Sequence, residues 1–342
     1  MCIRDRNKGD VLSIQLPQEE APLEIVPQNL PLQILYEDDC MIVLNKAAGM
    51  VVHPAAGNWD GTVVNALAHY LQQESPYGAG DFGSLREDDE VDGESRRFRP
   101  GIVHRLDKVG LLVLSVYLCT RQVCMMTGYS YYLPAFLHLH QGTTGVLVVA
   151  KTSQALAQLS QAFADRTVKK TYLAITVGNP GKLVTIDKPI ARHPVHRQRM
   201  RVVPDPHRST NRRNNVAIAK PAAPGRRAIS HVHTLAFDSK LSLAQVRIDT
   251  GRTHQIRVHL QDRHTPVYGD EVYGIADWNQ RLKRTHGIER PLLHAFQLEL
   301  EHPVTNESMV FTAPMAEDMR GIAKSIWPLG VEERPELFFA NE

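Results

Sequence analysis

Short runs of apolar residues, several of them alternating with polar residues, recur along the chain and predict β-strands. The runs cover residues 9–17, two segments around an Ala-Ala-Gly turn at 47–49, and residues 145–151, 169–178, 229–237, 241–248 and 292–300. In the run that starts at 169, period two places Tyr172, Ala174 and Thr176 on one side of the strand. The apolar residues between them face the other side.

Apolar residues at helical spacing predict three helices between these strands. They cover residues 61–71, residues 152–166 with a Thr152 or Ser153 cap, and a segment after Gly251 that Thr253 would cap. The predicted core positions of the first two helices are Val64, Leu67, Leu71, Leu156, Leu159 and Phe163. Strands dominate and no regular β-α-β alternation occurs, so the pattern predicts an α+β fold with a mostly antiparallel, mixed sheet and flanking helices.

Composition is that of a globular protein, with 342 residues of which 43% are apolar and 22% charged. Charge is spread unevenly along the chain. Residues 188–227 hold eleven Lys or Arg and one acid, whereas residues 81–94 hold seven acids and one Arg. The basic block indicates either a surface for a phosphate backbone or a solvated loop.

Cysteine usage gives no framework for a metal or for disulfides, because Cys119 and Cys124 form one C-x4-C pair without a second pair or a suitably spaced His. A reducing compartment fits this usage. No apolar run approaches the ~20 residues of a membrane span. Residues 1–6 match no signal or transit peptide and are interpreted as an arbitrary start.

One cluster of polar residues that are able to take part in catalysis is His104-Arg105-Leu106-Asp107. Two basic groups flank the carboxylate and favour its charged form, which suits a nucleophile better than a general acid. A surface ion pair would show the same pattern. In the helix predicted after Gly251, His254 and Arg257 are three residues apart and share a face, so Arg257 can pair with a buried carboxylate.

Two further groups lie on predicted strands. Lys170 and Tyr172 point to the same side, where the tyrosine either stacks on a base or fills the core. The run from Arg192 to Arg201 offers cations to phosphates or forms a solvated strand face.

Taken together, these elements resemble the RluA/RluD-type pseudouridine synthase family. The matching stretches, in chain order, are NKAAGMVVHP, RPGIVHRLDK with GTTGVLVVAKT, VKKTYLAITVG, TGRTHQIRVHL, YGDEVYG and LLHAFQLELEHP. The resemblance implies the catalytic fold of that family over residues 32–330, with a flexible basic loop at 203–226 and a tail at 331–342. It also implies that residues 1–17 are the remnant of an alpha-L RNA-binding domain, joined by a linker at 18–31.

The resemblance implies an isomerase that detaches uracil from its ribose in RNA, turns the base and rejoins it through carbon 5, without cofactor or metal. Asp107 matches the essential aspartate, and Arg105 matches the arginine that fills the space of the flipped base. Tyr172 matches the tyrosine packed against the target base, and Arg257 the basic residue paired with the aspartate. Whether the carboxylate bonds covalently to sugar or base, or removes a ribose proton, stays open. The residues expected to contact RNA are His104, Arg105, Lys170, Arg192, Arg197, Arg199, Arg252 and His254.

One segment departs from the family pattern, in which the aspartate motif is followed almost at once by a Thr-(Ser/Thr)-Gly turn. Here Val109 to Gln141 separate the two. Valine can be encoded by GTN and glutamine by CAG, the boundaries of an intron, so we interpret the segment as a retained intron or an error of the gene prediction. The alternative is a true insertion, although its apolar composition would then expose a large hydrophobic patch.

Function, partners and location follow as expectations. The partner is RNA, ribosomal RNA rather than tRNA, and the protein works as a monomer without membrane or metal. A nuclear gene with introns would place the protein in a plastid or mitochondrion; otherwise it is cytoplasmic. Two alternatives stay open: a homologue that binds RNA but is catalytically impaired by residues 109–141, and a metal-dependent hydrolase that uses Asp107 with His104, His254 and His294.

Overall fold

The computed structural model describes residues 25–53, 58–74, 101–102, 142–196, 198–204 and 225–339. Several predicted features lie outside these residues. They are the strand at 9–17, the first part of the linker, the acidic segment, residues 109–141 and residues 205–224 of the basic loop.

Twelve strands are found in the described residues. They are β1 Ile34–Glu37, β2 Met41–Lys46, β3 Gly101–Ile102, β4 Thr144–Ala150, β5 Lys169–Val177, β6 Leu183–Asp187, β7 Ile190–Arg192, β8 Met200–Val202, β9 Ile229–Phe237, β10 Leu241–Ile248, β11 Leu293–Glu301 and β12 Ser308–Thr312. Ten of them form one sheet in the order β1-β2-β4-β11-β5-β10-β9-β6, with β3 beside β4 and β12 beside β11, while β7 and β8 form a separate hairpin. The pair β4–β11 is parallel and the other pairs are antiparallel, which confirms the predicted α+β class.

The sheet divides between β4 and β11. Residues 144–145 of β4 pair with β11, whereas residues 149–150 pair with β3. Because β2 pairs with the opposite edge of β4, β3 and β11 both pair with the remaining edge of β4, one after the other along its length. The end of β3 at Ile102 therefore lies along the edge of β4 that also pairs with β11.

Helices cover the sheet on both sides. They are α1 Val63–Glu74, α2 Ser153–Asp165, α3 Gln255–Asp262, α4 Ala276–His286, α5 Glu317–Ile326 and α6 Gly330–Glu333, followed by a 3-10 turn at Pro335–Leu337. Thr152 caps α2, as predicted, because its side chain accepts a hydrogen bond from the backbone N–H of Ala155. Helices α4 to α6 were not predicted.

The alternation along β5 separates two parts of the core, as the sequence predicts. Tyr172 and Ala174 join a cluster with Ile256 and Leu260 of α3. Leu173 and Ile175 on the opposite side pack with α5 and with Phe338. One side of β5 is therefore a packing surface throughout, whereas the other carries the polar side chains of the predicted site.

Two sequence predictions about the fold are wrong. The second strand expected after the turn at 47–49 does not form: both strands precede that turn, and Val51 makes only an isolated bridge to Thr62. The tail expected from 331 onwards belongs to the domain, because Leu337 and Phe338 are fully buried in the core beside α5. Short helices and aromatic anchors, which have no long periodicity, hold this segment in place.

Among the described helices, none is both long and apolar enough to cross a lipid bilayer.

Candidate active site

The predicted residues on β5 lie on the side of the sheet that α3 covers. Lys170 and Tyr172 share one side of the strand, and both are largely buried, at 7% and 5% exposure. The Lys170 ammonium lies 5.4 Å from the ring centre of Phe163 in α2. Ile248, the β10 partner of Lys170, packs with Ile256 at the start of α3. Lys170 thus lies between the end of α2 and the beginning of α3.

A hydrogen-bonded turn fixes the beginning of α3. The Gln255 side-chain oxygen accepts hydrogen bonds from the Thr250 hydroxyl at 2.7 Å and the Arg252 backbone N–H at 3.0 Å. The Gln255 amide nitrogen donates to the Ile229 carbonyl at 2.8 Å. The predicted Thr253 cap is wrong: the helix begins after His254, which adopts a left-handed conformation with φ 53° and makes no side-chain capping bond. The Gln255 amide fixes the turn that precedes the helix.

The sequence predicts that Arg257 can pair with a buried carboxylate, and the structure shows such a pair. Among the described residues the partner is Asp270. The Nε of Arg257 donates to Asp270 Oδ2 at 2.6 Å, and the second nitrogen donates to Oδ1 at 2.8 Å. Both side chains are almost fully buried. Asp270 also accepts the backbone N–H groups of Val272 and Tyr273, so the pair is bidentate and well satisfied.

Tyr273 joins His254 and Arg257 to the basic hairpin. Its hydroxyl lies 2.8 Å from His254 Nδ1, and its ring lies 5.0 Å from the Arg257 guanidinium. The same hydroxyl accepts the backbone N–H of Met200 at 2.8 Å. Burial raises the pKa of Tyr273 to about 12, so the hydroxyl stays protonated. The hairpin β7–β8 is thereby attached to the helix that carries Arg257, and Arg192 and Arg199 on it are exposed.

Burial lowers the pKa of two cations near α3. Burial, followed by the nearby charge of Arg166, lowers the pKa of Lys170, while Asp249 acts in the opposite direction. Burial, followed by the charges of Arg166 and Arg226, lowers the pKa of Arg252. Lys170 and Arg252 therefore face the same cationic surroundings.

The Thr-Thr-Gly turn at the start of β4 is fixed by two buried contacts. Thr144 Oγ1 lies 2.8 Å from His294 Nδ1, and His294 Nε2 lies 3.1 Å from the Ala313 carbonyl. Since the carbonyl requires a donor, Nε2 carries the proton and Nδ1 accepts from the threonine hydroxyl. Arg290 donates to the Gly142 carbonyl at 2.9 Å. The backbone is thus positioned from Gly142 onwards.

We expect His294 to make the fold sensitive to acid. Burial lowers the pKa of His294 to about 4, so the unfolded chain takes up a proton on this residue below about pH 6.5 before the folded chain does. Stability should fall as the pH drops through this window, by about 2 kcal/mol between pH 7 and pH 5 from this residue alone. Urea unfolding at the two pH values checks this. His294→Gln, which keeps an acceptor and a donor, should lose less between them; an equal loss would contradict the assignment.

Some predicted residues cannot be placed in this geometry. His104, Arg105, Asp107 and Arg197 lie outside the described residues. Sequence reasoning in turn assigned no role to Asp270 and Tyr273, although both belong to the YGDEVYG stretch. Their signal was an acidic pair, Asp270 and Glu271, within a turn that contains two tyrosines and two glycines, where a buried acid needs a cation or hydrogen-bond donors.

One group of potential metal ligands occurs within the described part of the chain, formed by Asp38, Cys40 and His302. His302 Nδ1 accepts the backbone N–H of Thr305 at 3.0 Å, so its proton is on Nε2, which lies 2.7 Å from Asp38 Oδ2. A metal would need the lone pair of that same nitrogen. Burial raises the pKa of Cys40 to about 11, which opposes a thiolate ligand. The donors fit a hydrogen-bonded clasp between β1–β2 and the end of β11 rather than a metal centre.

Comparisons with known proteins agree with this fold. The family model for RNA pseudouridylate synthase matches residues 138–262. Ribosomal large subunit pseudouridine synthase D of Zymomonas mobilis is 33% identical over 324 residues, which cover 93% of this chain and 79% of that protein. The protein of the same name from Escherichia coli K12 is 33% identical over 331 residues, covering 93% and 78%. An RNA pseudouridine synthase of Synechocystis is 36% identical over 311 residues, covering 90% and 72%.

Solved structures show the same architecture at low sequence identity. Human RNA Pseudouridylate Synthase Domain Containing 4 superposes with a TM-score of 0.53 at 21% identity, over 85% of this chain and 93% of that one. Human RNA Pseudouridylate Synthase Domain Containing 1 gives 0.52 at 21% identity, over 83% of each chain. The fold is therefore that of the pseudouridine synthase catalytic domain. On the identity to its curated relatives, the chain belongs to the RNA pseudouridine synthase family, the isomerases that convert uridine in RNA to pseudouridine.

Proposed function

We propose that the protein isomerises uridine to pseudouridine in large-subunit ribosomal RNA, with Asp107 as the catalytic carboxylate. The substrate is inferred from the curated relatives, whose names specify the ribosomal large subunit. The observation that carries the proposal is the packing of α3 on β5, which places a buried tyrosine and the helix of a fixed, buried arginine on one side of the sheet.

Sheet geometry supports Asp107 as the catalytic carboxylate beside Tyr172. Ile102 pairs with Val149, whereas Tyr172 lies opposite Ala295, the neighbour of Gly145. Four residues along β4 and one strand spacing put Ile102 about 14 Å from Tyr172. Five extended residues span up to ~17 Å. The segment from Ile102 to Asp107 is thus long enough to bring the carboxylate to the tyrosine.

The reaction assigns a role to each of these groups. The bond between ribose C1′ and uracil N1 breaks and a bond from C1′ to C5 forms. Finally C5 loses its proton and N1 gains one. Asp107 stabilises or bonds the electron-poor intermediate, as a carboxylate does in a retaining glycosidase. Tyr172 packs against the base, and Arg105 fills the space left by the flipped nucleotide. Arg257 keeps the carboxylate charged.

Residues 109–141 give a reason to consider a second function, an RNA-binding homologue with impaired catalysis. The segment begins two residues after Asp107, and the family model matches only from residue 138 onwards. An inserted segment at this place would displace the carboxylate, and small displacements of a catalytic group cost large factors in rate.

The test compares the full chain with a variant in which Lys108 is joined to Gly142. Each is incubated with a transcript of large-subunit ribosomal RNA and with tRNA, and pseudouridine is measured by mass spectrometry of the nucleosides. We expect the shortened variant to form pseudouridine in the ribosomal transcript. Activity of the shortened variant alone would show that residues 109–141 impair catalysis. Conversion of tRNA only would contradict the substrate, and no conversion by either protein would contradict the isomerase.

A further inference from the structure

Four cations from separate parts of the sequence lie around the end of α2 and the beginning of α3. Lys170 lies on β5 beside Phe163 of α2, and Arg166 follows that helix in a left-handed conformation with φ 65°. Arg252 precedes α3 and donates through Nε to the Arg227 carbonyl at 3.0 Å. Arg226 is fixed beside it, since its backbone N–H donates to the Ile190 carbonyl at 2.8 Å. We call Arg166, Lys170, Arg226 and Arg252 the cation cluster.

The members of the cation cluster repel one another. The charge of Arg166 acts on both Lys170 and Arg252, and the charge of Arg226 acts on Arg252. Within the residues that the structure describes, no carboxylate lies within 4.0 Å of any of the four, whereas the buried Arg257 and Arg290 are each paired with an aspartate. Asp249 acts on Lys170 from a greater distance and pairs with His231.

The burial of Lys170 within this arrangement is costly for the fold alone, whereas Arg166 and Arg226 are exposed. A lysine that is 7% exposed has lost most of its hydration, and an aromatic ring compensates for only part of that loss. Protein interiors normally pair such charges. Groups placed against this rule commonly serve a ligand that supplies the missing charge.

We propose that Arg166, Lys170, Arg226 and Arg252 bind one phosphate of the RNA backbone next to the everted uridine. This inference rests on the proposed function. Lys170 and Tyr172 point to the same side and are two residues apart along β5, about 7 Å. That separation is of the size of one nucleotide, so a base on Tyr172 brings an adjacent phosphate to the cation cluster. Arginine guanidinium groups suit phosphate oxygens because they donate two parallel hydrogen bonds.

The test measures RNA affinity rather than catalysis. Arg166→Gln, Arg226→Gln and Arg252→Gln each remove one charge, and Lys240→Gln is the matched control. Lys240 adjoins the opposite end of β10, about 24 Å along the strands from Lys170. Fluorescence anisotropy gives the dissociation constant for the ribosomal RNA fragment over a range of salt concentrations.

We expect each cluster variant to bind the RNA at least about 10-fold more weakly, because each substitution removes a hydrogen bond from a charged donor. The slope of log affinity against log salt should shrink by about 0.7–0.9 for each phosphate that the variant no longer neutralises. The control should keep both values. Cluster variants that bind like the control would overturn the phosphate site and leave the isomerase proposal standing. A wild-type protein that fails to bind the RNA would instead contradict the proposed function.

Lys170→Met separates binding from folding. Methionine keeps the length of the side chain and removes the buried charge, so we expect a higher unfolding temperature together with weaker RNA binding. A lysine that served only the fold would lose stability on replacement. A stable variant with unchanged RNA affinity would remove Lys170 from the phosphate site.

Discussion

Asp107→Asn should lower the rate of pseudouridine formation by roughly 10⁴-fold or more if Asp107 is the catalytic carboxylate that we propose, because the variant lacks the charged group on which each of the proposed routes depends. The amide keeps the size and shape of the carboxylate, but it cannot stabilise or bond an electron-poor centre through a negative charge. Single-turnover conversion of the ribosomal RNA transcript is the measurement, and it is made on the variant that joins Lys108 to Gly142.

Two controls make this result specific. The RNA dissociation constant of Asp107→Asn should stay within a few-fold of the unsubstituted protein, because the cations proposed to contact phosphates are unchanged. Asp165→Asn, on the exposed end of α2, should keep full activity. Retention of the rate within 10-fold in Asp107→Asn would show that this carboxylate is not the catalytic one, even if the chain forms pseudouridine.

The sheet could be predicted from the sequence where strands are long and alternate. The runs at 229–237 and 241–248 form strands over those residues, and the sides of β5 follow period two. The local sequence pattern was enough to predict these strands, because burial of alternate residues fixes the side of the sheet that each residue faces. The short strands β6 to β8 and helix α4 carry too few apolar positions for such a pattern, and they depend on tertiary contacts.

The site was predictable in its residue types but not in its pairings. His254 and Arg257 meet at Tyr273, as their common helix face suggested, yet the acid that holds Arg257 lies 13 residues further on and belongs to no periodic pattern. The cap of α3 failed for a similar reason: a left-handed His254 precedes the helix without a side-chain capping bond, and Gln255 fixes the turn before it through Thr250 and Arg252. Contacts of this kind depend on a left-handed residue and on a loop return, neither of which hydrophobic spacing reveals.

Removal of the charge on Asp270 should have the largest effect on stability. Asp270→Asn leaves the Arg257 guanidinium buried without its anion, and breaking one partner of a buried pair typically costs about 3–5 kcal/mol. The asparagine oxygen can still accept one of the backbone N–H groups of Val272 and Tyr273, but its amide group faces the arginine with a donor. The free energy of unfolding in urea measures this loss.

The double variant Arg257→Met with Asp270→Leu separates the structural role of the pair from its role in the reaction. Replacing both charges by apolar groups of similar volume avoids an unpaired charge, so we expect it to recover at least half of the stability that Asp270→Asn loses. Under the proposed mechanism activity should not return, because the cation assigned to keep the Asp107 carboxylate charged is absent. A stable double variant that turns over RNA at the unsubstituted rate would show that Arg257 only supports the fold. A double variant that is both stable and inactive, with RNA affinity intact, would show that the arginine takes part in the reaction.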